Sequence, residues 1–122
     1  MKKESPEEKL KKEADSIVVW ADGTLAKFIG KLADHPAHAM EWGGDTVNAT
    51  AQREVALIVL SHLEGKRTAD QIMQTCVDQT VGLAESANNR STSAMHNLMS
   101  DHRLAAWAKF ARFCRDISRG FR

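Results

Sequence analysis

Two histidines three residues apart, then a glutamate and a tryptophan, lie in "HPAHAMEW" at residues 35–42. A catalytic zinc needs three protein ligands and one open position, and His35, His38 and Glu41 are candidates for such a set. The helical zinc motif, however, places its histidines four apart with a glutamate beside the first, and Pro36 interrupts any such helix here. The stretch therefore reads as a linker in which His35 caps the preceding helix and Met40 and Trp42 tuck against the core. Ser61 and His62 are adjacent in "LSHLE", but neighbours on a helix point about 100° apart and cannot form a nucleophile–base dyad. Gly43-Gly44 lacks the lysine and preceding strand of a phosphate loop. The other histidines, His96 and His102, belong to no Glu-x-x-His di-metal pattern, and there is no haem-attachment motif. Cys76 and Cys114 stand singly among apolar neighbours and read as buried free thiols. The expectation is a chain without catalytic machinery or cofactor.

The C-terminal stretch "HRLAAWAKFARFCRDISRGFR" is richer. At ~100° per residue Arg112, Arg115, Arg119 and Arg122 share a helical stripe roughly 80° wide. Guanidinium groups pair bidentately with carboxylate or phosphate, so the stripe suits an acidic protein surface or a nucleic-acid backbone. Phe113 and Phe121 border it and can anchor a partner or stack on bases. A third use is plain solvation of the outer face near a helix C-terminus. No helix-turn-helix or other sequence-reading motif decides for nucleic acid.

These residues must be positioned by helices, because alternating strand patterns are missing and the only prolines are Pro6 and Pro36. Ser5, Pro6 and Glu7-Glu8 predict a helix start. Leu10, Ala14, Ile17, Ala21, Leu25, Phe28 and Leu32 keep one apolar register across Gly23. One long helix to about Asp34 is favoured over two that meet at Gly23. Pro36 ends it, and Asp45 or Thr46 is expected to cap the next helix, which stops at Gly65. "VALIVL" at residues 55–60 is apolar all round, as expected of a central helix. Thr68 and Gln71 form a capping box before the stripe Ala69, Ile72, Met73, Cys76, Val77, Thr80, Val81 and Ala84. That stripe can continue to Ser100, whereas Asn88-Asn89 and "RSTS" favour a break near residues 87–92. Asp101 is expected to cap a last helix ending before Gly120.

The fold expected is an all-α, four- to five-helix antiparallel bundle, a single domain over residues 1–122, with residues 1–12 as a charged, frayed extension. Of 122 residues 43% are hydrophobic and 27% charged, an ordinary globular balance. Net charge is +1 in all: zero over residues 1–15, −3 over 16–100 and +4 over 101–122. No apolar run is long enough for a membrane or a secretory signal, which predicts a cytoplasmic protein. The first helix's stripe, about 33 Å long, exceeds what a small bundle covers and suggests a homodimer through that helix. The function expected is a small non-enzymatic interaction or regulatory protein docking on an acidic partner through its basic C-terminal helix. Nucleic-acid binding by the same stripe is the alternative, and a metal-dependent enzyme using His35, His38 and Glu41 the more distant one.

Overall fold

The computed structural model describes residues 4–87 and 94–120, with backbone alone at 38–42 and 94–95. The described residues form four helices packed together: α1 (Pro6–Asp34), α2 (Ala39–Glu64), α3 (Ala69–Ser86) and α4 (Ala94–Ser118). A single 3-10 turn, Pro36–His38, joins α1 to α2. No described helix is long and apolar enough to cross a membrane.

Helix α1 begins as its sequence dictates. The Ser5 hydroxyl accepts the Glu8 amide at 3.1 Å, Pro6 takes the first turn, and Glu7 and Glu8 face the positive end of the dipole. It is continuous through Gly23. At its other end the His35 amide donates to the Lys31 carbonyl at 2.8 Å before Pro36. From Pro6 onward the charged first turns are helical. Leu10 is fully buried, and the Glu7 carboxylate accepts the Ala69 amide at 2.9 Å, tying the start of α1 to the start of α3.

Helix α2 starts six residues earlier than its candidate cap Asp45 and carries Gly43-Gly44 inside it. Each helical glycine costs about 1 kcal/mol. The helix ends at Glu64, but the residue in the left-handed conformation that turns the chain is Lys66 (φ 64°), not Gly65. The Arg67 amide donates to the His62 carbonyl across this turn at 3.1 Å. Nor is the 55–60 segment covered on all sides. Val55, Ala56 and Val59 are buried, while Leu57 and Ile58 are exposed.

The Thr68–Gln71 capping box forms as expected, with the Gln71 amide donating to the Thr68 hydroxyl at 3.2 Å and the Thr68 amide to the Gln71 side-chain oxygen at 2.9 Å. Helix α3 ends at Ser86 and α4 begins at Ala94; residues 88–93, where the sequence leaves a break and continuity both open, lie outside the described part. Asp101 lies within α4, seven residues after its first residue, and is not the cap that starts it. The helix ends as expected, with Gly120 at φ 76°.

Helix α1 packs on α2, α3 packs on α4, and contact between α2 and α4 joins the two pairs. One core results, from Leu10, Ala14 and Ile17 of α1, Val55, Ala56 and Val59 of α2, Ile72 and Cys76 of α3, and Ala106, Trp107, Phe110, Cys114 and Ile117 of α4. Cross-helix ion pairs on its outside include Arg103–Glu54 at 2.9 Å and Arg53–Asp22 at 2.6 Å.

Candidate partner-binding site

Helices α3 and α4 meet through small or inward residues and leave a trough between their outer faces. Met73, Val77, Thr80 and Val81 form one wall, and Ala108, Ala111, Arg112 and Arg115 the other. On α4 the spacing is i, i+3, i+4, i+7 and on α3 it is i, i+4, i+7, i+8, so each wall is one helical face. Ala108 and Ala111 are short, and the space above them measures about 500 Å³. The floor is apolar. The Thr80 hydroxyl is already committed to the Cys76 carbonyl at 2.7 Å and presents little polarity to the trough.

The walls expose apolar surface that the chain's own core does not use. Ala69, Ile72 and Cys76 turn inward, whereas Val77 is 41% and Val81 50% exposed. The α3 stripe, which is continuous in the sequence, thus splits into a core-facing part and a trough-facing part.

The electrostatics come from α4. Arg112 and Arg119 are exposed and make no side-chain hydrogen bond or ion pair, while Arg115 has only a 3.8 Å contact with Asp116. Arg112 and Arg115 edge the trough, and Arg119, seven residues beyond Arg112, continues its line. Solvent-facing, unpaired guanidiniums keep their full capacity for an incoming carboxylate or phosphate.

Of the six residues expected at a binding site, three form this edge: Arg112, Arg115 and Arg119. Arg122 and Phe121 lie outside the described residues. Phe113 is on the other side of α4, half-buried against the core, where it lines a small hollow with Glu13 and Ile17 of α1. The trough-facing valines, Met73 and the two alanines were missed as site residues. Their helical spacing was visible, but periodicity alone does not distinguish a core face from a vacant one.

The other candidates fare differently. His35 is exposed at the end of α1, and the side chains of His38 and Glu41 are outside the described part. Among the described residues no group of three or more His, Cys, Asp or Glu side chains is placed to hold a metal ion. The α1 stripe proposed for a second subunit is largely taken up within the chain. Leu10, Ala14, Ile17 and Ala21 are buried, and Leu25, Phe28 and Leu32 are half-buried. The exposed Val19, Trp20 and Ile29 spread over about half the helix circumference and make no single face.

His62 and Arg67 form a local pair at the α2–α3 turn, with the Arg67 guanidinium 2.9 Å from His62 Nδ1. Burial, then the nearby Arg67 charge, lowers the His62 pKa, so the ring is neutral and accepts this hydrogen bond. Comparison of the chain with family models, with curated proteins and with solved structures finds no match to any of them.

Proposed function

We propose that this chain is a small non-enzymatic interaction protein that seats an acidic, amphipathic helical segment of a protein partner in the α3–α4 trough. The observation that carries the reading is the pairing of a solvent-open apolar trough with a rim of arginines, two of them unpaired. An amphipathic helix presents apolar residues at i, i+3/i+4 and i+7, which matches the periodicity of both walls. The trough runs about 12 Å along α3, and about 16 Å when extended to Arg119, room for two to three helical turns. Carboxylates flanking the apolar face of the incoming helix would meet Arg112, Arg115 and Arg119. Valine, methionine and alanine line the floor without a described aromatic ring, which favours an aliphatic helix over stacked bases. The mechanism is occupancy, with the apolar floor supplying affinity and the arginines orientation.

The test is fluorescence anisotropy with a labelled peptide carrying leucine at i, i+4 and i+7 and glutamate at the flanking positions. Saturable binding is expected for the intact chain. It is lost when Arg112, Arg115 and Arg119 become glutamate, and when the peptide's glutamates become lysines. Equal binding of the acidic and basic peptides would refute the reading. So would oligonucleotide binding that weakens steeply with salt in the absence of peptide binding, and that result would assign the same arginines to nucleic acid.

A further inference from the structure

The chain's only two cysteines are both free and buried inside the bundle. Cys76 is on α3 and Cys114 on α4, both in the single apolar core. Their level is fixed by their neighbours. Met73 and Val77 are three residues before and one after Cys76, Ala111 and Arg115 are three before and one after Cys114, and all four line the same trough. The cysteines therefore sit opposite one another just beneath its floor. The two thiols interact across the seam between α3 and α4, and each shifts the other's pKa.

We propose that Cys76 and Cys114 are an oxidisable dithiol, closed by hydrogen peroxide into an inter-helix disulfide that fastens α3 to α4. The interaction with Cys76 favours the thiolate at Cys114 and lowers its pKa, while the same interaction, then burial, raises that of Cys76. One sulfur is thus the nucleophile and the other holds the shared proton. The Cys114 thiolate attacks one peroxide oxygen and the O–O bond breaks. Cys114 becomes a sulfenic acid, and the hydroxide released takes up the proton that Cys114 had lost. The Cys76 sulfur then attacks the sulfenyl sulfur, and its proton leaves with the sulfenic hydroxyl as water. Two thiols lose two electrons and two protons, and one peroxide becomes two waters.

Exposure selects the oxidant. Cys76 is 0% and Cys114 3% exposed, so only a small uncharged molecule crossing the apolar floor reaches them. A bulky, charged oxidant such as glutathione disulfide is kept out of the folded chain. The cross-link also fixes the spacing of the two helices that form the trough, whatever docks there.

The experiment is intact-mass measurement of the full chain after hydrogen peroxide, followed by denaturation and alkylation. The expected result is a monomer 2 Da lighter with no alkylatable thiol, restored by dithiothreitol, and no such change after native exposure to glutathione disulfide. In C76S, a dimedone adduct on Cys114 is expected in place of the mass loss, and in C114S an alkylatable Cys76. Retention of both thiols after peroxide would overturn the proposal. Loss through intermolecular dimers, or a gain of 32 Da on one cysteine without the 2 Da loss, would do the same. The wild-type mass change decides even where a serine variant does not fold.

Discussion

Replacing Ile72 with alanine, and separately replacing Val77 and Val81 together with alanine, distinguishes the core-facing side of α3 from its trough-facing side. Ile72 is 0% exposed and loses three carbons, worth about 2.4 kcal/mol at ~0.8 kcal/mol each, plus a cavity term. After the small gain in helix propensity, the net cost is about 3 kcal/mol. Each valine loses two carbons, worth about 1.6 kcal/mol when fully buried. At 41% and 50% exposure roughly half of that is realised, about 0.8 kcal/mol. Alanine recovers about 0.5 kcal/mol of helix propensity, leaving about 0.3 kcal/mol per site and ~0.6 kcal/mol for the pair. In a chain of this size 1 kcal/mol moves the thermal midpoint by about 4 °C, so the expected losses are about 12 °C for Ile72→Ala and 2–3 °C for the double variant. Circular dichroism melts with parallel urea titrations read both. Equal losses would refute the reasoning, because they would show that the trough wall is part of the chain's own core and that the trough is not vacant.

Three further outcomes follow from the local chemistry. Gly23→Ala is expected to stabilise the chain by about 0.5–1 kcal/mol in urea unfolding, since a Cβ there meets nothing within 4 Å and the backbone is helical. Thr68→Ala removes one half of the capping box and is expected to cost about 1–2 kcal/mol in the same assay, with Thr68→Ser losing little. The third concerns pH: the folded His62 pKa lies below its unfolded value of about 6.5, so the unfolded chain binds the proton first. Its contribution is complete above 6.5 and is lost as pH falls through the window down to the folded value. Urea unfolding from pH 7.5 to 5 is expected to show a fall that His62→Gln reduces, and identical slopes would remove His62 from the account.

Most of the fold was legible because its determinants are local. Ser5-Pro6, the Thr68–Gln71 box and the break before Pro36 are each decided by a few neighbouring residues, and each stands where the sequence puts it. Errors arose where a helix runs on through a local stop or start signal. Gly43-Gly44 reads as part of the linker, yet α2 runs through it, and Asp101 reads as a cap, yet α4 runs through it. Lys66 rather than Gly65 takes the left-handed turn, which composition alone does not indicate. At the site, the arginines were visible as a stripe, since charge on one helix is a one-dimensional pattern. The trough was not, since it depends on which side of α3 faces α4. The cysteines, 38 positions apart, show the same limit, because spacing in sequence says nothing of two helices that bring them together.

The core is placed unevenly along the helices, and this has a consequence for how the chain opens. Its large side chains, Leu10, Ile17, Ile72, Trp107, Phe110 and Ile117, come from the first half of α1, the start of α3 and the second half of α4. Where α1 runs on toward Asp34 and α2 begins, the buried residues among the described side chains are mainly small: Ala21, Val47, Ala49 and Ala51. The described side chains there are buried less fully than in the core, so backbone amides at that end of the α1–α2 pair are expected to exchange with solvent hydrogen through local openings. Amides around Leu10 to Ile17 and Val55 to Val59 are expected to exchange only when the whole bundle unfolds. The chain is therefore two zones of unequal persistence on one pair of continuous helices, with the boundary near Ala21 and Ala51.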